Sequence, residues 1–292
     1  MPEEGITLRD RSHFMTSEEV IEMAKIFVSN GVDKIRITGG EPFIKKDIQN
    51  ILKQLSELEI QLGITTNAVL LDQHLDFLKS IGLTTLNVSL DTLDRRKFIE
   101  MTRRDEFERI YSNIMRALDE EFKIKLNVVL IKGVNDDEIV SFIELSEHPQ
   151  LEVRFIEFMP FDGNEWDVSK VVSHNEILSK LEGIEPLDED TKNPISKNYT
   201  VIGSSAKFGI ISTITNPFCD SCNRIRLTAD GKMKNCLFGK EEIDLLKPMR
   251  NGLNVSQLIQ SALLGKKKQH DGINFHASNT IHEHRTMTAI GG

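Results

Sequence analysis

A pattern of alternating helix and strand repeats five times in the first half of the sequence and restricts the folds open to the chain. Each repeat places an amphipathic segment, with apolar residues three to four apart, before a short segment rich in β-branched residues. We predict helices near 17–30, 46–57, 72–81, 105–120 and 136–146, each followed by a strand, at 33–38, 60–66, 84–90, 123–131 and 151–159. Strands joined through helices run parallel with right-handed crossovers. The pattern therefore predicts an α/β fold, as a barrel or a doubly wound sheet.

Polar residues at alternate positions of several predicted strands favour the barrel. Lys34, Arg36 and Thr38 share one face of the first predicted strand. The same alternation occurs at Asn87, Ser89 and Asp91 and at Lys123, Lys125 and Asn127. A sheet covered by helices on both sides cannot easily bury so many polar groups, whereas a curved sheet around a ligand-filled interior can. One such strand alone is also typical of a sheet edge. Taken together, they predict a curved parallel sheet around a ligand-filled interior.

The helix–strand alternation ends after Pro160, which predicts a change of domain near 160–175. The remaining sequence predicts a loop at 160–172, a helix at 173–182, short antiparallel strands within 198–238 and a last helix at 253–264. We therefore divide the chain into a barrel domain, 1–165, and a C-terminal subdomain, 166–292.

Composition excludes several classes of protein. The 292 residues, 39% hydrophobic, are enough for one large α/β domain with a small appendage. A net charge of −9 argues against non-specific nucleic-acid binding. No apolar run approaches the length of a membrane span, and the first residues do not resemble a secretory signal. Three clustered cysteines in a chain of this length fit a reducing compartment, so we expect a cytoplasmic protein. From the charge and the absence of a long apolar run, we expect it to bind neither nucleic acid nor membrane.

The three cysteines lie together as C-x2-C-x13-C, at Cys219, Cys222 and Cys236. Segment 217–238 predicts a loop with two of them, a strand at Arg224–Leu227, a turn at Asp230-Gly231 and a second strand that returns Cys236. Such a hairpin can present three thiolates to one metal and leave a coordination position open.

Spacing alone leaves the identity of this metal site undecided. Zinc completed by a histidine and an iron–sulfur cluster fit equally well, and unrelated buried thiols are a third alternative. A zinc-stabilised regulatory protein would draw its fourth ligand from residues such as His270, His276 or His282.

In α/β folds, binding and catalytic residues collect where the strands end. The first predicted strand ends in Gly39-Gly40-Glu41-Pro42, where the glycines permit close approach of a ligand and the carboxylate can accept hydrogen bonds from an amine. The other selected strand ends are Thr65-Thr66-Asn67, Ser89-Leu90-Asp91-Thr92 and Glu157-Phe158-Met159-Pro160. A GGEP sequence by itself is more often only a tight turn.

These strings resemble a known family. GGEP after the second strand of a partial barrel is similar to the amine-binding turn of radical S-adenosylmethionine (SAM) enzymes. This resemblance implies an incomplete parallel β/α barrel of the radical SAM type, with a C-terminal, partly antiparallel subdomain. The wider strings KIRITGGEPFIKKDI, TTNA, NVSLDTL, KLNVVLIKGVND and RFIEFMP, the hairpin C-x2-C-N-R-I-R-L-T-x-D-G-K, and the terminal Gly291-Gly292 resemble the GTP 3′,8-cyclase family of molybdenum cofactor biosynthesis. The resemblance covers essentially the whole chain, and the arginine-bearing cysteine hairpin is its most specific part.

The resemblance implies roles for individual residues. It implies SAM contacts at Gly40, Ser89 and Met159. It implies GTP contacts at Arg36, Thr65, Lys125, Arg224, Ile225 and Arg226. It also implies that Cys219, Cys222 and Cys236 hold a 4Fe–4S cluster whose open iron faces the guanine base. Converging arginine and lysine side chains suit a triphosphate, although an isolated one is usually part of a surface ion pair.

The implied reaction is the radical cyclisation of GTP to 3′,8-cyclo-7,8-dihydroguanosine 5′-triphosphate. In the family, a 5′-deoxyadenosyl radical made from SAM at an N-terminal cluster removes the ribose 3′ hydrogen, and the sugar radical attacks guanine C8. The resemblance also implies functional coupling to the next pathway enzyme, cyclic pyranopterin monophosphate synthase, and allows a homodimer. Another radical SAM enzyme with a different substrate is the alternative.

The sequence departs from the family at its beginning. Family members carry a C-x3-C-x2-C motif, which holds the second, SAM-cleaving 4Fe–4S cluster, before a segment like Met1-Pro2-Glu3-Glu4. Those three ligands, the first strand and an arginine near GTP are absent, so we expect a fragment of a longer enzyme, or else a protein that lost radical initiation. As written, the chain is expected to be inactive. A further hypothesis is that the Gly291-Gly292 tail, preceded by Arg285, reaches the site.

Overall fold

The computed structural model describes residues 10–161, 164–187 and 195–266. The helices in this part of the chain are α1 (Ser17–Ser29), α2 (Ile48–Ser56), α3 (Leu75–Ser80), α4 (Arg95–Thr102), α5 (Phe107–Asp119), α6 (Ile139–Leu145), α7 (His174–Ser179), α8 (Leu246–Arg250) and α9 (Ser256–Leu264). The strands are β1 (Lys34–Ile37), β2 (Gln61–Thr66), β3 (Thr85–Ser89), β4 (Lys123–Leu130), β5 (Leu151–Glu157), β6 (Ile184–Pro186), β7 (Lys197–Val201), β8 (Lys207–Ile211), β9 (Arg226–Leu227), β10 (Lys232–Lys234) and β11 (Ile243–Asp244). All five predicted helix–strand repeats are present.

The chain divides into two compact units. The first contains residues 1–63, 161–165 and 223–292, and the second contains residues 64–160 and 166–222. A boundary near residue 165 between a barrel domain and a C-terminal subdomain stays a prediction. Among the described residues, no helix has the length and apolar character needed to cross a membrane.

The second unit is built on one sheet with the order β2-β3-β4-β5-β8-β7-β6. Strands β2 to β5 pair in parallel, as predicted. Strand β8 also pairs in parallel with β5. Strand β7 then pairs antiparallel with β8, and β6 pairs antiparallel with β7. The strands expected to look antiparallel within 198–238 include β8, which pairs antiparallel with β7 but in parallel with β5. The chain between β5 and β8 includes α7 and is long enough to return β8 in the direction of β5.

The apolar face of this sheet carries the core of the second unit. In β4, buried and partly exposed residues alternate along the whole strand. Leu126 and Val128 are fully buried, and the ring of Phe155 on β5 packs edge-on against Phe142 and Phe208 with centroids 6.3 and 6.2 Å away. Because successive side chains of a strand point to opposite faces, this packing leaves the other face of the sheet to the polar residues.

Helix α4 was not predicted. Its first turn is capped by Asp94, whose carboxylate accepts hydrogen bonds from the backbone N–H groups of Arg96 and Lys97. It ends at Arg103, which adopts the left-handed conformation with φ of 58°. Phe98 is the only buried residue of this short helix, so the helix lacks the buried apolar face on which the other predictions relied.

Helix α1 of the first unit begins with a capping box. The Thr16 hydroxyl accepts a hydrogen bond from Glu19 N, and the Glu19 carboxylate accepts one from Thr16 N at 2.8 Å. Helices α1 and α2 enclose one small core, against which Ile35 and Ile37 of β1 pack.

A second core in this unit joins α1 to the C-terminal strands. It consists of Met23, Phe27, Met233, Leu245, Val255, Ile259 and Ala262. The strands form a three-stranded antiparallel sheet, β11-β10-β9, in which Met233 pairs with Leu227. The predicted hairpin is therefore confirmed, with β9 beginning at Arg226, two residues later than expected.

Candidate active site

One row of polar residues crosses four strands of the second unit. The parallel registers place Thr65 beside Asn87, Asn87 beside Lys125, and Lys125 beside Glu152. Residues paired in this way point to the same face of a sheet. The structure thus brings together Thr65 and Lys125, two of the residues expected to contact GTP.

A second row lies closer to the C-terminal strand ends. It contains Ser89, Asn127, Arg154 and Gly209, again as register neighbours. Ser89, an expected SAM contact, is exposed at the end of β3. Arg154 is only 8% exposed and was not among the predicted site residues, although Glu152 and Arg154, two residues apart and so on one face of the strand, were a signal that could have found it.

A shared carboxylate connects the two rows. Glu152 Oε2 lies 3.5 Å from Lys125 Nζ, and Glu152 Oε1 lies 2.5 Å from Arg154 Nε. Two cations therefore share one anion, and this group of three side chains has a net charge of +1. Two cationic side chains held together on one face of a sheet suit an anionic ligand.

The loop after β3 is held against the loop after β4 by Asp91 and Asn135. The Asp91 carboxylate accepts a hydrogen bond from Val129 N at 2.8 Å, and the Asn135 amide donates to the Asp91 carbonyl at 2.6 Å. Asp91 is half-buried, and its desolvation by the surrounding protein raises its pKa to about 6. Asn135 is fully buried. These contacts fix the strand end that carries Ser89.

Glu138 makes a second connection between the same loops. Its carboxylate accepts hydrogen bonds from the Thr92 hydroxyl at 2.8 Å, from Leu93 N at 2.6 Å and from Lys97 Nζ at 3.1 Å. Lys97 also lies 2.6 Å from the exposed Asp137. Sequence analysis did not select Glu138, because its role depends on two loops that are 45 residues apart.

The end of β5 is organised by the buried Glu157. Its carboxylate accepts hydrogen bonds from Ile214 N at 2.7 Å, from Thr215 N at 3.0 Å and from the Thr215 hydroxyl. The chain that follows β8 is thereby attached to the end of β5. Met159, an expected SAM contact, follows two residues later and is partly exposed.

The GGEP turn lies in the first unit. The Glu41 carboxylate accepts a hydrogen bond from Phe43 N at 3.1 Å and so caps a short 3₁₀ helix. Gly39 has a φ of 112°, which favours glycine. A Cβ atom on Gly40, the residue expected to contact SAM, would meet no atom of the described residues within 4 Å.

Arg36 lies on the exposed side of β1, opposite Ile35 and Ile37. Its side chain passes over Gly63 on the neighbouring strand, where a Cβ atom would lie 3.8 Å from Arg36 Nε. The predicted alternation of β1 is therefore confirmed, with Arg36 on the side away from the core.

The arginine hairpin, residues 224–234, also lies in the first unit. Ile225 and Leu227 pack against the core formed by α1, α9 and the C-terminal strands. Because neighbouring residues of a strand point to opposite sides, Arg226 of β9 faces away from that core, whereas Arg224 precedes the strand and its Nε atom is buried. Ile225, expected to contact GTP together with them, has its side chain in the core packing.

The cysteines are distributed over both units. Cys219 and Cys222 lie in one 3₁₀ turn of the second unit, where Cys222 N donates to the Cys219 carbonyl at 3.1 Å, and Cys236 follows β10 in the first unit. All three are partly buried. Within residues 10–161, 164–187 and 195–266, no group of three His, Cys, Asp or Glu side chains is arranged to hold a metal ion.

The donor chemistry fits an iron–sulfur cluster or zinc at the C-terminal cysteines, because three thiolates and a C-x2-C turn suit both. The SAM-cleaving cluster does not fit this sequence, since its only three cysteines are those of the C-terminal motif. The histidines considered as zinc ligands, His270, His276 and His282, and the Gly291-Gly292 tail lie outside the described residues.

Comparison with known proteins identifies the class. Residues 3–146 match the family model of the radical SAM superfamily, and residues 151–272 match the model Molybdenum Cofactor Synthesis C. Together with the parallel sheet, these matches confirm the predicted partial β/α barrel of the radical SAM class.

Relatives that align with most or all of this chain identify the family more closely. GTP 3′,8-cyclase of Peptoclostridium acidaminophilum is 41% identical over 276 residues, 92% of this chain and 85% of that protein. The mitochondrial GTP 3′,8-cyclase of Arabidopsis thaliana is 41% identical over 301 residues, 100% of this chain and 76% of that protein. Molybdenum cofactor biosynthesis protein 1 of Dictyostelium discoideum is 41% identical over 303 residues, 100% of this chain and 48% of that protein. The chain belongs to the GTP 3′,8-cyclase family, which confirms the resemblance seen in the sequence.

The chain spans about half the length of several curated relatives that it matches, including the proteins of Dictyostelium discoideum and Caenorhabditis elegans.

Proposed function

We propose that this chain binds GTP and SAM and forms the radical SAM part of an enzyme that cyclises GTP to 3′,8-cyclo-7,8-dihydroguanosine 5′-triphosphate, the first step of molybdenum cofactor biosynthesis. One observation carries the proposal. Lys125 and Arg154 both contact the carboxylate of Glu152 on the polar face of the sheet, which places two cationic side chains together there.

The polar face supplies the contacts that a nucleoside triphosphate needs. Lys125 and Arg154 would bind phosphate oxygens, the arginine through its planar fork of donors and the lysine as a point charge. Thr65 and Asn87, in the same row as Lys125, would offer neutral hydrogen bonds to the rest of the nucleotide. Arg36, Arg224 and Arg226 of the first unit are proposed as further GTP contacts.

Residues at the strand ends would hold SAM. Ser89 is exposed where β3 ends, and the networks of Asp91 and Glu138 fix that end against the neighbouring loop. A Cβ atom on Gly40 would meet no atom of the described residues within 4 Å, which permits the close approach of a ligand to the backbone. Met159 would complete the site from the end of β5.

The protein itself would contribute by positioning GTP and SAM relative to each other. Cys219, Cys222 and Cys236 would hold a 4Fe–4S cluster with one iron position open to the guanine base. SAM and iron–sulfur clusters supply radical chemistry when bound, and the residues described here would orient the ribose and exclude water from it.

Nucleotide binding tests the proposal directly. Lys125→Ala is expected to raise the GTP dissociation constant about 10- to 100-fold, because losing a hydrogen bond to a charged group costs about 1.5–3 kcal/mol. Isothermal titration of the iron-reconstituted protein measures this change.

Lys123→Ala is the matched control, since Lys123 lies on the same strand two residues nearer its beginning and is exposed there. The control is expected to bind GTP within about twofold of the wild type. No GTP binding by the wild type, or equal losses in the two variants, would contradict the proposal.

Metal analysis tests the cluster separately. Anaerobically purified protein should contain iron and acid-labile sulfide at about one cluster per chain, and Cys219→Ala should lose most of both. Stoichiometric zinc without sulfide would instead support the zinc-stabilised regulatory protein considered above.

The partners and the compartment follow only as proposals. The cyclic product would be consumed by cyclic pyranopterin monophosphate synthase, and a homodimer is proposed as the assembly. We propose a cytoplasmic location, although the name of the Arabidopsis thaliana relative places that protein in mitochondria.

A further inference from the structure

Arg250, the last residue of α8, makes four hydrogen bonds through one guanidinium group. Its Nε and Nη2 atoms donate to the two Glu19 carboxylate oxygens at 2.6 and 2.9 Å. Nη1 donates to the Ser12 carbonyl at 2.6 Å, and Nη2 also donates to the Phe14 carbonyl at 3.0 Å. All of these residues lie in the first unit. An exposed ion pair usually contributes little, but a bidentate arginine with two further carbonyl contacts has the geometry in which it does.

The segment held by Arg250 is connected to the turn of the arginine hairpin. Met15 N donates to the Ala229 carbonyl at 2.9 Å, one residue beyond the Phe14 carbonyl that Arg250 binds. Ala229 follows Leu227 of β9 by two residues and precedes the turn at Gly231. The backbone of residues 12–15 therefore bridges Arg250 and the hairpin turn.

The other side of the turn is connected to α8, the helix that ends at Arg250. The Gly231 carbonyl accepts hydrogen bonds from Leu245 N at 2.9 Å and Leu246 N at 3.2 Å. The contacts thus close a ring that runs from Arg250 through residues 12–15 to Ala229, around the turn to Gly231, and back along α8. Glu19 adds α1, whose residues Met23 and Phe27 share a core with the hairpin.

We propose that Arg250 is a positioning residue for GTP binding, and that it acts by holding the arginine hairpin in the orientation that presents Arg224 and Arg226 to the substrate. This inference rests on the proposed function. Arg250 itself does not contact the nucleotide; it fixes the base of the hairpin. Lysine cannot reproduce this role, because an ammonium group lacks the planar fork that binds a carboxylate and two carbonyls together.

The test is GTP titration of Arg250→Gln and Arg250→Lys in the full chain, below the unfolding temperature of each variant. We expect the GTP dissociation constant to rise about tenfold in both, with the binding stoichiometry unchanged. We also expect guanosine to bind nearly as before, because the displaced arginines would mainly serve the phosphates. A structural loss alone would instead lower the stoichiometry and leave the dissociation constant as it was.

Arg95→Gln is the matched control. Arg95 makes the same type of bidentate pair, to Asp105 at 2.9 and 2.5 Å, but it does so in the second unit. It should leave GTP binding within about twofold of the wild type.

Two outcomes would overturn the inference while leaving the proposed function intact. The first is wild-type GTP affinity in both Arg250 variants, and the second is an equal loss in Arg95→Gln. A wild-type chain that does not bind GTP would overturn the proposed function itself, and this inference with it.

Discussion

The turn of the arginine hairpin offers the sharpest test of how this structure is built. Gly231 has a φ of 71°, and a Cβ atom placed on it would lie 2.3 Å from the Leu246 Cβ atom. Leu246 cannot easily retreat, since it is buried and its backbone N–H binds the Gly231 carbonyl. Gly231→Ala therefore combines a left-handed backbone cost of about 1–2 kcal/mol with an overpacking cost of about 1–3 kcal/mol, which together lower the free energy of unfolding by about 2–5 kcal/mol.

Gly252→Ala separates the two costs. Gly252 lies in the same unit with nearly the same φ, 72°, but a Cβ atom there would meet nothing within 4 Å. Only the backbone cost of about 1–2 kcal/mol is expected for this variant. Urea denaturation followed by circular dichroism measures both values. If the two variants differ by less than about 0.5 kcal/mol, the steric reasoning at Gly231 is wrong.

Two further predictions concern pH. Asp91→Asn keeps an acceptor for Val129 N but removes a carboxyl group whose pKa is raised to about 6. Because ionisation of Asp91 destabilises the wild type as pH rises from about 4 to 7, the variant should become more stable than the wild type over this interval, by up to about 3 kcal/mol. Denaturation midpoints of the two proteins that change in parallel with pH would contradict this prediction. Glu176 pairs with Lys132, whose hydrogen bond is the main cause of a carboxyl pKa lowered to about 2, so this stabilisation is complete above pH 4.5 and is lost as pH falls towards 2. Glu176→Gln should therefore flatten the acid limb of the stability curve over that interval, and an unchanged limb would refute the pairing.

Much of the fold could be predicted because its elements bury one face. The alternation of Lys125 and Asn127 with Leu126 and Val128 follows from a strand with one apolar side, and the structure shows that alternation throughout β4. Helix α4 was not predicted because it does not bury a whole face, Phe98 being its only buried residue. The parallel direction of β8 depends on the path of the chain between distant strands, which no local pattern records.

The candidate site was predictable only in part. Strand registers place Thr65 and Lys125 in one row with Asn87 between them, and their role as GTP contacts, taken from the family resemblance, stays a prediction. Arg154 and Glu138 were missed. The partners of a buried charge come from strands or loops far away in sequence, so neither its stabilisation nor its role can be read from its own segment.

The two-sided character of β4 has a consequence for how such proteins diversify. Leu126 and Val128 are fully buried, so they contribute to the stability of the sheet from the face opposite Lys125 and Asn127. Lys125 and Asn127 can therefore change over evolutionary time at little cost to folding, and one strand can serve new substrates while its reverse side stays the same.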